Sequence, residues 1–120
     1  MVSLTSFRNA FRGLKAVVSR ERNARIHVGF ACVAIIAAFV LHVPFGQCAL
    51  VITTIGLVFF AEIMNTAFER TLDLLAYDNN QVVKLVKDMA AGGVLVTAST
   101  SLLVAACIFG PPIIQLVVHR

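Results

Sequence analysis

The chain has 120 residues, 59% of them hydrophobic and 13% charged, with a net charge of +4. A soluble domain carries about 25% charged residues, so the composition excludes an ordinary soluble globule and implies one integral-membrane domain. Six of the ten Lys and Arg (Arg8, Arg12, Lys15, Arg20, Arg22, Arg25) precede the first long apolar run, beside a single acid, Glu21.

A basic block next to a membrane span stays in the cytoplasm and favours anionic headgroups. No nucleic-acid readout motif accompanies it, so nucleic acid is set aside as a partner. The charged region is too long for a cleaved signal peptide, and the run after it is long enough to span. The N-terminus is therefore expected to be retained.

Residues 3–20 carry Leu4, Phe7, Phe11, Leu14 and Val18 within an arc of about 80°, with Arg8, Arg12 and Lys15 to one side. This predicts an amphipathic helix lying in the interface, phenylalanines toward the acyl chains and basic groups toward phosphate. A helix that docks on a soluble partner shares the pattern. Residues 26–43 form a first predicted span with His27 and His42 near its ends. Pro44 and Gly46 are expected to stop it in a turn over 44–47.

A second span is predicted over 48–75, apolar in its first half and polar in its second. Residues 77–88 read as a cytoplasmic connection of mixed charge. The third span, 89–110, opens on Ala90, Ala91, Gly92 and Gly93, small residues that let helices approach closely in lipid. Gly110, Pro111 and Pro112 are expected to end it. The architecture is thus an all-α membrane protein: three transmembrane helices behind an interfacial helix, N-terminus cytoplasmic and C-terminus extracytoplasmic. Cys32, Cys48 and Cys107 have no metal-ligand spacing and read as small buried apolar side chains.

Within the second span, Glu62, Asn65, Glu69 and Asp73 fall within about 80° of one another on the helix. An acid at the centre of a membrane helix costs roughly 2.5–3.5 kcal/mol, so this stripe must face other helices or water. A polar seam between subunits would suit Asn65. Two glutamates with no base on the stripe require protonation or a cation, and oxygen ligands of this kind suit Mg²⁺, held by one or two carboxylates with substrate phosphates. Lys87 and Asp88, ahead of the third span, are placed to meet phosphate and to orient a neighbour. Lys84 reads as a solvated helix start, a reading that Asp88 shares. Glu21 is either a site residue or a solvated partner of the arginines around it. No GxxxxGK[ST] loop is present, so a bound nucleotide must be held chiefly by acid, metal and phosphate contacts.

EIMNTAFERTLD and KLVKDMAAGGVL resemble the paired signature ExxNTAxExxxD and KxxKDxAAGxV of the prokaryotic diacylglycerol and undecaprenol kinases. RGLK and SRERNARIH fit as well, and the likeness covers roughly residues 6–110. The resemblance implies a homotrimer in the bacterial plasma membrane that uses ATP and Mg²⁺ to phosphorylate a membrane lipid alcohol, with sites shared between protomers. It implies Glu62 as catalytic base and Glu21 and Glu69 as Mg²⁺ ligands. Asn65 and Asp73 would shape the site. Asn9, Asp78, Asn79, Asn80, Lys87 and Asp88 fall on the nucleotide side, and His27, Asn65 and Ala91 join Glu62 on the acceptor side. ERNARIH and IFGP are more similar to the undecaprenol-kinase branch than to the diacylglycerol kinases. A non-enzymatic proton or ion pathway, or a small membrane scaffold, is the alternative of another class, and neither accounts for Lys87 and Asp88 beside the acids.

Overall fold

A computed structural model describes residues 3–75 and 80–120. They form four helices: α1 (Leu4–Arg20), α2 (Arg22–Val40), α3 (Phe45–Leu75) and α4 (Gln81–Val118). The last three are long and apolar enough to cross a membrane.

Ser3 starts α1 by accepting a hydrogen bond from the Ser6 N–H at 3.3 Å, which satisfies one of the donors a helix start leaves unpaired. Glu21 has extended backbone angles, φ −104° and ψ 117°, and serves as a one-residue hinge between α1 and α2. Arg25 locks that hinge. Its Nη1 donates to the carbonyls of Val18 at 3.2 Å and Ser19 at 2.9 Å, setting a cation against the negative end of α1. Leu4, Phe7, Phe11 and Leu14 are all exposed on α1.

The turn after α2 falls earlier than the sequence suggests. α2 stops at Val40, and His42 takes the left-handed region at φ 52°. The Val43 N–H bonds Ala38 O at 3.0 Å and the His42 N–H bonds Phe39 O at 3.2 Å. That pair is the Schellman arrangement, with His where glycine is usual and with Val43 packing near Ala38. Pro44 does not stop α2. Its carbonyl accepts the N–H groups of Gln47 and Cys48, each at 3.0 Å, so it launches α3, where a missing N–H costs nothing. Gly46 lies inside the first turn of α3.

α4 also departs from expectation at both ends. Asn80 Oδ1 accepts from Val82 N at 2.9 Å and Val83 N at 3.3 Å, which starts the helix at Gln81 rather than at Met89. At the far end it continues through Pro111 and Pro112 to Val118. The prolines withhold two donors, yet proline φ is helical, and Gly110 has no Cβ to clash with the ring that follows it. At 1.5 Å per residue, α3 with 31 residues and α4 with 38 are about 46 and 57 Å long. Both exceed the roughly 30 Å hydrocarbon core, so their ends project beyond it.

α3 and α4 share the broadest contact and α2 lies mainly on α3. Val43, Val51 and Ile108 form the buried cluster at the far end, with Ala34, Ala38 and Val104 against it. The radius of gyration, 17.9 Å, exceeds the roughly 14 Å of a compact soluble domain this long. The chain is an open sheaf with many large apolar side chains exposed on its outer faces. The cysteines follow that pattern: Cys48 is half-buried, while Cys32 and Cys107 are exposed rather than buried.

Candidate active site

Val51, Val58 and Glu62 recur at helical spacing and make up the buried face of α3. Glu62 therefore enters the interior because the apolar pattern of its own helix carries it there. It is 2% exposed and is the one buried charged residue among those described. Its Oε2 accepts no hydrogen bond from any described residue. An unpaired buried polar atom costs roughly 1–3 kcal/mol, more when charged. The nearest cationic candidate is His27 on α2, whose Nε2 stands 3.8 Å away, beyond hydrogen-bonding reach. His27 also heads an apolar cavity of about 400 Å³ between α2, α3 and α4.

Toward the end of α3 the polar stripe opens to solvent. Asn65 is half-buried, while Glu69 and Asp73 are exposed. Two ion pairs tie this end of the bundle together. Arg70 Nη2 donates to Glu21 Oε1 at 2.8 Å, joining α3 to the hinge. Lys87 Nζ donates to Asp73 Oδ1, joining α4 to α3. That hydrogen bond, supported by the charges of Asp73 and Glu69, raises the Lys87 ammonium above its ordinary value. The hydrogen bond and charge of Glu21, with smaller contributions from Glu69 and Asp73, favour the charged form of Arg70.

This donor set suits a hard cation. Exposed carboxylate oxygens are the ligand type Mg²⁺ takes, its shell commonly completed by water and substrate phosphate. Among the described residues no three His, Cys, Asp or Glu side chains converge into a closed metal cage, which an all-protein site would need and a phosphate-shared one does not.

The structure thus brings Glu62 together with His27, Glu21 with Arg70, and Asp73 with Lys87. Asp88 accepts a hydrogen bond from Lys84 Nζ at 3.0 Å, one turn earlier on its own helix. The Asn80 side-chain oxygen is committed to starting α4. Asn9 and Ala91 are exposed on α1 and α4. Asp78 and Asn79 lie outside the described residues. Arg70 is the participant that sequence reasoning missed: it lies off the acidic stripe on its own helix and meets Glu21 only through the tertiary fold. Its one available signal was being the sole base between the first span and Lys84.

A lone carboxylate buried at the edge of a membrane bundle, with charged groups on one side and an apolar cavity on the other, suits chemistry on amphipathic molecules. That places the chain among small membrane-embedded enzymes. Residues 8–109 match the family described as prokaryotic diacylglycerol kinase, and the chain belongs to that family. It is 36% identical over 116 residues to a diacylglycerol kinase of Synechocystis sp., covering 96% of this chain and 66% of that protein. It is 35% identical over 106 residues to an undecaprenol kinase of Bacillus subtilis, covering 88% of this chain and 86% of that one. The chain thus spans just under two thirds of the length of the Synechocystis relative. No solved structure matches it at a significant level. The names of the family and of both relatives are those of lipid kinases, and family membership assigns the chain to that class.

Proposed function

We propose that the protein phosphorylates a membrane lipid alcohol with ATP and Mg²⁺, and that the acceptor is undecaprenol. The observation that carries this reading is the buried, unpartnered Oε2 of Glu62. A base of this kind accepts the proton of the lipid hydroxyl. The hydroxyl oxygen forms its bond to the γ-phosphorus as the bond to the β-phosphate oxygen breaks, leaving lipid phosphate and ADP. Such transfers depend chiefly on alignment and charge stabilisation. Glu21 and Glu69 hold the metal, which when bound neutralises charge on the transferring group. Asn65 and Asp73 line the same face, and Lys87 and Arg70 supply donors for phosphate. Diacylglycerol is the second acceptor reading, favoured by the name of the Synechocystis relative.

The N-terminus and the site face the cytoplasm, with α1 flat on the interface and its exposed Phe7 and Phe11 in the acyl boundary. The assembly is a homotrimer, as the resemblance to the family implies, and the outward apolar faces of α2, α3 and α4 leave surface for neighbouring copies. Purified protein in bicelles, given labelled ATP, Mg²⁺ and a panel of lipid alcohols, tests the reading. Label transfer to undecaprenol above diacylglycerol is the expected result, and transfer to no alcohol would remove the proposal.

A further inference from the structure

The charged end of the bundle is nearly balanced. Glu21 is held by Arg70 at 2.8 Å, Asp73 by Lys87 and Asp88 by Lys84 at 3.0 Å. Of the acids at this end, only Glu69 has no ion pair among the described residues. Glu21, Glu69 and Asp73 stand against Arg70 and Lys87, which leaves one net negative charge. Without Arg70 there would be two, and a divalent cation feels that difference strongly. One unit charge beside a doubly charged ion changes its affinity on the order of tenfold even in water.

Arg70 neutralises Glu21 without covering it. Its Nη2 bonds one carboxylate oxygen, Oε1, and an ionised carboxylate has a second oxygen that accepts. A guanidinium carries five N–H donors, so the bond to Glu21 leaves others for an anion. The Arg70 side chain is 61% exposed and open to a ligand arriving from water. We propose that Arg70 is a fixed counter-ion of the metal site: it weakens binding of a bare divalent cation and strengthens binding of nucleotide phosphate, so that metal and nucleotide enter together. This rests on the reading of Glu21 and Glu69 as the metal ligands and adds an order of binding to it. Mg²⁺ is commonly held by one or two carboxylates with substrate phosphates, and here one of the two carboxylates already shares its charge with Arg70. The phosphates restore the negative charge that Arg70 removes.

The test uses full-length protein in bicelles and two probes applied separately. One is Mn²⁺ without nucleotide, its free form counted by electron paramagnetic resonance. The other is a non-hydrolysable ATP analogue in EDTA. Arg70→Gln removes the charge and keeps an N–H donor for Glu21, whereas Arg70→Lys keeps the charge. At low ionic strength Arg70→Gln should bind Mn²⁺ about tenfold more tightly and the nucleotide about tenfold more weakly. Arg70→Lys should match the unmodified protein in both, and the shifts should shrink as salt is raised. Adding Glu21→Gln to Arg70→Gln should erase the gain for Mn²⁺. Arg70→Gln protein that loses both affinities would show that Arg70 only holds the hinge, and this overturns the proposal. An unchanged affinity for Mn²⁺ overturns it too. Protein that binds no Mn²⁺ in any variant removes the metal ligands and the counter-ion together. Opposed shifts in a protein that phosphorylates no alcohol would keep the counter-ion and remove the kinase reading, so the two fail separately.

Discussion

Arg70 on α3 and Glu21 at the α1–α2 hinge hold one another at 2.8 Å across 49 residues of sequence. The pair fixes the basic N-terminal helix against the charged end of α3, next to the site. Its side chains remain 61% and 26% exposed, so water screens the pair and its effect on global stability is small. Arg70→Ala should therefore leave the unfolding midpoint almost unmoved while freeing α1. Spin labels on α1 and α3 should show a broadened distance distribution. A distribution as narrow as in the unmodified protein would mean that Arg25 and helix packing hold the hinge without Arg70.

Glu69 carries no such partner among the described side-chain ion pairs and is exposed at the rim. As a proposed Mg²⁺ ligand, Glu69→Gln should cut turnover by at least about a hundredfold, the usual scale for losing one preorganised electrostatic contact. Size-exclusion chromatography should still show the assembled oligomer. Glu21→Gln should lower turnover in the same way and also release Arg70. Activity that survives EDTA counts against both assignments.

Much of this arrangement is legible in the sequence, for physical reasons that also set the limits. Apolar runs announce helices because lipid demands them, and a helical wheel places Glu62, Asn65, Glu69 and Asp73 on one face. The wheel describes one helix at a time, so it says nothing of Arg70 meeting Glu21 or Lys87 meeting Asp73. Pro44 and Gly46 are strong turn signals, yet the backbone hydrogen bonds of Val43 and His42 had already closed α2. Pro111 and Pro112 are breakers in water, whereas a long apolar helix carries them. Asn80, expected on the nucleotide side, also caps α4 with its side-chain oxygen, a local role that the spacing of the motifs does not reveal.

His42 offers a stability test of that turn. At φ 52° it occupies a conformation that costs a residue with a Cβ roughly 1–2 kcal/mol. His42→Gly removes this penalty, partly offset by glycine's freedom in the unfolded chain. A gain of up to about 1 kcal/mol is expected, and His42→Val should lose stability. Thermal unfolding in detergent measures both. A destabilised glycine variant would show that the imidazole holds the turn by contacts of its own.

Topology follows from charge. The six basic residues before the apolar run that starts at Ile26 and the uncharged 44–47 segment predict a cytoplasmic N-terminus, and three crossings would then bring the C-terminus out. A reporter fused after Arg120 should report an extracytoplasmic location. A cytoplasmic signal would mean that one of α2, α3 or α4 fails to cross.

The sharpest prediction separates the base from the metal. Glu62 lies two turns before Glu69, about 10.5 Å along α3, in the interior rather than at the charged rim. It is buried where Glu69 is exposed, so one protomer does not bring both to a single metal. Glu62→Gln keeps the size and polarity of the side chain and removes the proton acceptor. A positioned base contributes roughly 10²–10⁴-fold, so turnover should fall at least about a hundredfold. Binding of Mg²⁺ with a non-hydrolysable nucleotide should change little, because the proposed phosphate donors, Arg70 and Lys87, lie at the far end of the stripe. Both quantities can be measured on one preparation. If Glu62→Gln instead abolishes nucleotide binding, Glu62 belongs to the metal shell, and the division of α3 into an acceptor half and a nucleotide half is wrong.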